Sequence, residues 1–244
     1  MWTEALILVA GVSGGAVAAV AGFGIGSLLT PAFALQVDAR LAVAAVSIPH
    51  VVGTALRFWL LGGRVDSKVL WGFGLTSAAG GLTGALLQAQ AGVPVLTVLF
   101  GGLLLFTAGA ELTGIARRLR FEGPAAWFAG GASGFLGGLV GNQGGIRSAA
   151  LLGVHLQKHV FVGTATAIGL MVDGARVPVY LWRMHEPMSA LGGWILLATL
   201  GVAIGTLLGS RLLMYIPEHL FRRTVAVVLA VLGTAMVARG ILVQ

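Results

Sequence analysis

Arg147 stands two residues beyond the cluster Gly141-Asn142-Gln143-Gly144-Gly145, at the start of an otherwise apolar stretch. A cation among apolar residues is costly unless it faces water, a partner or an anion. The start of a short helix would add unpaired backbone N–H groups and the positive end of a dipole. Asn142, Gln143 and Ser148 bring further donors, and a guanidinium can grip an oxyanion with two hydrogen bonds. The chemistry these residues suggest is the binding of a small anion. The competing reading pairs Arg147 with an internal acid such as Asp173, or lets it snorkel to a surface.

The first half of the chain carries a related cluster, Gly22-Phe23-Gly24-Ile25-Gly26, followed by Ser27. An offset of 119 residues aligns it with the second cluster and also pairs Arg57 with Arg176 and Arg64 with Arg183; slightly further on, Gly80 and Gly84 pair with Gly201 and Gly205, and Pro94 with Pro217. Glycine-interrupted apolar segments at matching places in two halves point to a transporter's binding site. Gly22, Gly24, Gly26, Gly141, Gly144 and Gly145 would let backbone approach a ligand closely, whereas Gly80/Gly84 and Gly201/Gly205/Gly209 fit helix packing.

Other polar residues are few. Asp173 is the one acid inside an expected span, a place where carboxylates relay protons or hold ions, and Arg176 lies three residues on, where it can neutralise it. His50, beside Pro49, is a proton carrier or ligand donor on one reading and a satisfied interior histidine on the other. Arg57 lies four residues from the end of its segment and reads as snorkelling. Ser27, Thr30 and Thr54 are candidate pocket donors, although hydroxyls in apolar helices commonly bond back to their own backbone. His155 and His159 have a spacing that can hold zinc, but with no third ligand nearby they read as a loop. Neither a metal nor a cofactor is expected. Gly-x-Ser-Gly occurs at Gly11–Gly14 and again at Gly131–Gly134. An intramembrane serine protease would need a base beside Ser13 or Ser133, and the motif's repetition in both halves favours inherited packing.

Composition sets the frame. The chain of 244 residues is 57% hydrophobic and 9% charged, with a mean hydropathy of +0.97, which excludes a soluble domain. The expected fold is an all-α, multi-pass membrane protein forming one domain over 1–244, with one repeat at 1–116 and another at 121–244. Ten apolar segments are read: 3–21, 25–36, 40–61, 68–88 and 93–113, then 123–140, 145–156, 158–182, 189–211 and 217–240. At about 1.5 Å per residue, 25–36 and 145–156 are too short to cross about 30 Å of hydrocarbon, so each reads as a half-helix behind a glycine tip.

The net charge of +7 reflects topology rather than nucleic acid. Nine basic residues (Arg64, Lys68, Arg117, Arg118, Arg120, Lys158, Arg211, Arg222 and Arg223) fall on one side and only Arg40, Arg183 and Arg239 on the other. The richer side is therefore read as cytoplasmic, with both termini outside. An odd number of segments per half makes the repeats inverted. The absence of cysteine removes thiol chemistry, and an N-terminus without early basic residues argues that the first segment is retained.

Gly22–Gly26, then Leu61-Gly62-Gly63-Arg64-Val65-Asp66, then Gly80-Gly81-Leu82-Thr83-Gly84-Ala85-Leu86-Leu87 resemble the first repeat of the TauE/SafE family of sulfite and organosulfonate permeases. Gly137 to Gly145 resembles that family's second glycine motif, and Gly209-Ser210-Arg211-Leu212-Leu213 with Ile216 to Arg223 resembles its ending. The resemblance covers essentially the whole chain. It implies a secondary transporter of small anions, typically sulfur oxyanions or sulfonates, in the cell's inner or plasma membrane, with the lipid bilayer as surroundings and no ATP site. Where the family has three glycines, this chain reads Gly-Asn-Gln-Gly-Gly, so its substrate can differ. A channel or a non-transporting membrane subunit is the alternative of another class, and a homo-oligomer is compatible with every reading.

Overall fold

The computed structural model describes residues 2–61, 64–114, 123–142, 144–152, 156–212 and 218–242, and every regular element among them is helical. Helices α1 (Trp2–Ala21), α2 (Ile25–Ala34), α3 (Ala39–Leu60), α4 (Ser67–Gln88) and α5 (Val93–Thr113) make up the first half. The second half contains α6 (Pro124–Val140), α7 (Gly144–Leu152), α8 (Lys158–Ala190), α9 (Gly192–Leu212) and α10 (Glu218–Leu242). Seven of these are long and apolar enough to cross a membrane; α6 has 17 residues, α2 has 10 and α7 has 9.

Local chemistry sets the boundaries. The carboxylate of Asp38 accepts from Leu41 N at 3.0 Å and so caps α3, and Asp66 accepts from Val69 N at 2.9 Å and caps α4. Pro94 and Pro124 occupy the first turns of α5 and α6, where no amide is needed. α1 ends at Gly22, with φ +79°, and α6 at Gly141, with φ +77°; these backbone angles favour glycine over any other residue. Two ends differ from the sequence expectation. α2 stops at Ala34 rather than 36, because the amides of Gln36 and Val37 turn back onto Phe33 O. The segment expected to end at 182 continues to Ala190, but its helical geometry breaks at Met184 (φ −130°, ψ 24°), so the expected boundary falls on the break. α4 contains a π turn over Leu70–Gly74, while α3 runs straight through the position of Pro49 without losing its helical assignment.

Packing crosses the two halves. Numbered within each half, the first helix lies on the fourth of the other: α1 on α9, and α6 on α4. The thirds, α3 and α8, pack together, as do the fifths, α5 and α10. Glycines make the first two contacts unusually close. A Cβ on Gly15 or Gly205 would land on the carbonyl of Val202 or Val12, and one on Gly80, Gly84, Gly134 or Gly138 on a carbonyl across the α4–α6 crossing. Small residues let backbones approach in this way within an apolar medium, where side-chain burial gives little drive for association. The packing role expected of Gly80, Gly84, Gly201, Gly205 and Gly209 is what the structure shows. The Gly-x-Ser-Gly glycines belong to the same class, Gly11 closing on Ala198 O and Gly134 on Ser77 O.

The core is centred on α2. All of its residues except Leu28 are buried, among them Leu29 and Phe33, which meet Leu96, Phe100, Leu104 and Val202. A helix this short and apolar on every side is stable only when enclosed by others.

Replacing Gly84 or Gly205 by Val should force these crossings apart and lower stability in detergent by about 1–3 kcal/mol or more, since a backbone carbonyl cannot step aside. Gly109→Ala, at a helical site with nothing within 4 Å, should leave the melting temperature the same or slightly higher.

Candidate functional site

The two glycine tips meet in the interior. A Cβ on Gly26 would sit 2.5 Å from Gly141 O, and one on Gly144 would overlap the Cβ of Phe23. The tip glycines thus have separate reasons. Gly22, Gly24 and Gly141 hold positive φ, whereas Gly26 and Gly144 are needed for close approach. Gly145 lies in the first turn of α7, and Gln143 is outside the described residues. Ser27 Oγ donates to Asn142 Oδ1 across the junction at 3.2 Å, joining the first half to the second.

Among the described residues four charged side chains are buried, and all stand close to this junction: Arg57, Arg147, Asp173 and Arg176. Asp173 is held on both oxygens. Arg176 Nε donates to Oδ1 at 3.0 Å with Nη2 2.9 Å from the same oxygen, and His50 Nδ1 lies 2.8 Å from Oδ2. The pairing expected between Asp173 and Arg176 is present, and His50 extends it to a triad. Thr54 Oγ1 lies 3.5 Å from His50 Nδ1.

Arg57 departs from the sequence reading. It does not snorkel: only 5% exposed, it donates from Nη1 to Ala18 O at 2.6 Å and from Nε to Thr166 Oγ1 at 3.0 Å. Arg176 does the equivalent in the other half, donating from Nη1 to Gly137 O at 2.6 Å. Both pairs are related by the 119-residue offset, so the offset itself contained the signal that Arg57 is an interior residue. Each arginine adds a second donor to a carbonyl near the buried C-terminus of a helix, Ala18 O and Gly137 O also accepting from the amides of Gly22 and Gly141 at 3.0 Å. At the end of α6 the satisfaction is complete over three residues: Gly137 O takes Arg176, Gly138 O takes Tyr180 Oη, and Leu139 O takes Gln88 Nε2. Tyr180 and Gln88 were not singled out in the sequence, because nothing in their spacing marks them.

Arg147 differs from the other two arginines. It is 2% exposed, sits in the first turns of α7, and its Nε and Nη1 have no hydrogen-bond partner. Its guanidinium rests against Gly169, with Nη1 3.2 Å from where a Gly169 Cβ would be and Thr54 Cγ2 3.4 Å from that same point. Asp173, the acid it was weighed against, is already engaged by Arg176 and His50. Asn142 Nδ2 and Thr30 Oγ1 are likewise buried without partners. A buried donor left unpaired costs about 1–3 kcal/mol, and more when charged; Arg40 Nε and Thr206 Oγ1 are further buried atoms without partners. Of the expected pocket hydroxyls, Ser27 bonds across the junction and Thr30 is unpaired, so neither turns back on its own helix; Ser148 is half-buried on the first turns of α7.

Among the described residues no group of three or more histidines or acids could hold a metal ion; His155 and the side chain of His159 lie outside that description. An apolar groove of about 600 Å³ between α1, α2 and α10, lined by Leu6, Val9, Leu28, Leu232 and Met236, lies apart from the charged cluster. Its one charged residue, Arg239, is committed to Ala34 O at the end of α2.

Neither a curated protein nor a solved structure matches the chain. A family model described as sulfite exporter TauE/SafE matches residues 7–236, which takes in both glycine tips and all or most of every helix described. The chain therefore belongs to the TauE/SafE sulfite exporter family, a family of membrane transporters.

Proposed function

We propose that the protein is a secondary transporter of small anions, sulfur oxyanions or organosulfonates, and not an enzyme. Its substrate binds where the two glycine tips meet. The observation that carries this reading is the unpaired donor set at that junction: Arg147 Nε and Nη1, with Asn142 Nδ2, all buried. Arg147 is the principal cation. Asn142 is oriented by Ser27, and the first turns of α2 and α7 point their positive ends toward the ligand. Gln143, Ser148 and the tip glycines complete the proposed lining.

In this reading the two halves are inverted repeats in the cell's inner membrane, with the basic-rich loops in the cytoplasm and both termini outside. The first half packing on the second with exchanged helix ranks supports a two-fold relation between them. Alternating access then exposes the tip junction to one side at a time. The His50–Asp173 pair is the proposed route for a coupling proton, since it is a titratable imidazole held 2.8 Å from a buried carboxylate beside the site. The family name makes outward movement the first direction to test.

Ligand-induced thermal stabilisation of the purified protein tests the site directly. A panel of sulfite, sulfate, thiosulfate, simple sulfonates, carboxylates and chloride should contain a ligand that stabilises by about 2.7 kcal/mol at a hundred times its Kd. Arg147→Ala should remain folded and inserted but lose that stabilisation; unchanged affinity removes Arg147 from the site. Gly144→Val should abolish uptake into proteoliposomes, because the new side chain occupies the place of Phe23. Normal uptake by that variant would overturn the tip model.

A further inference from the structure

Among the described residues, the buried charged side chains are three guanidiniums and one carboxylate: Arg57, Arg147 and Arg176 against Asp173, each 5% exposed or less. They lie within electrostatic reach of one another, Arg147 of Arg57, Asp173 and Arg176. Two positive charges are therefore left uncompensated. Backbone dipoles do not remove them. The C-terminal ends of α1 and α6 offer Ala18 O and Gly137 O to Arg57 and Arg176, but the N-terminal ends of α2 and α7 arrive at the same junction with the opposite sign. Protonation of His50 would raise the excess to three, so two is the smallest value. Ions taken out of water are stable only when matched by opposite charge and hydrogen bonds.

We propose that the anion this site accepts is a dianion, compact and bearing oxygens on at least two sides, in preference to a monoanion of the same shape. The proposal rests on the anion-transport reading above. A dianion brings the interior cluster to neutrality, whereas a monoanion leaves one positive charge buried. The free donors suit such a ligand. Arg147 presents Nε and Nη1 from α7, Asn142 presents Nδ2 from the tip of the same half, and Thr30 presents its hydroxyl from α2 in the other half. Thr30 lies three residues after Ser27, which fixes the Asn142 amide by donating to its Oδ1.

Sulfate and methanesulfonate make the discriminating pair. Both have tetrahedral sulfur and three common oxygens, and exchanging the fourth oxygen for a methyl removes one charge. Thiosulfate serves as a second dianion of different size. Their dissociation constants are measured at neutral pH by calorimetry on the full chain in detergent. Sulfate or thiosulfate should bind at least about tenfold tighter than methanesulfonate, a difference of about 1.4 kcal/mol. In Arg57→Gln, which removes a charge and leaves the donors of Arg147 and Asn142 in place, the preference should fall below about threefold. Retention of the full preference in a folded Arg57→Gln protein would assign selectivity to hydrogen bonding and overturn the proposal. The wild-type ratio decides the matter even if that variant does not fold. Methanesulfonate binding as tightly as either dianion overturns the dianion proposal while leaving the anion site standing. Absence of binding by all three, together with the rest of the anion panel, overturns the transport reading beneath it.

Discussion

A helix that ends inside an apolar interior leaves backbone groups with nothing to bond, and this constraint organises the centre of the protein. α1 and α6 both stop there, at glycines in the left-handed region, and their last carbonyls must find donors away from water. At the end of α6, Tyr180 and Gln88 supply them to Gly138 O and Leu139 O, and Arg57 and Arg176 add a second donor to Ala18 O and Gly137 O, which the amides of Gly22 and Gly141 also reach. Burying those arginines in turn requires counter-charge, and Asp173 answers Arg176 only. The charged centre thus follows from broken helices, and the broken helices from the glycine clusters.

The two halves share this scaffold and diverge at the site itself. At the 119-residue offset Arg147 corresponds to Leu28, His50 to Gly169, and Asp173 to Thr54. The absence of a side chain at Gly169 is what gives the Arg147 guanidinium its place, and Thr54 Cγ2 adjoins the same point. Each half therefore lacks the group the other provides: an acid and two arginines come from the second, an imidazole and one arginine from the first.

The helices were legible because apolar runs and glycine or proline punctuation mark their ends directly. α3, α4, α5 and α6 begin and end within a residue of the expected segments. The half-helices were legible from their length. The continuation of α8 past Met184 was not, since Arg183, His185 and Glu186 read as a polar loop although helical backbone resumes beyond the kink and runs to Ala190. At the site, Arg147 and the tip glycines could be chosen from sequence because a cation in an apolar run is conspicuous. The interior position of Arg57 was not read, because proximity to a segment end suggested an escape to the surface. Its partner Ala18 is an ordinary alanine, and a carbonyl acceptor leaves no trace in residue identity.

The glycine crossings also bear on how the chain is made. α1 finds its seat on α9, and α4 on α6, so neither first-half helix meets its close partner within its own half. During synthesis α1 must wait in the bilayer until more than 170 further residues separate it from Gly192, where α9 begins. Its glycine face stays uncovered over that interval, and the contacts of Arg57 with Thr166 and of His50 with Asp173 wait until both halves are present. The protein is then completed in one late closure rather than half by half, a topology of long sequence separations that folds slowly and leaves unfinished chains open to misassembly and degradation.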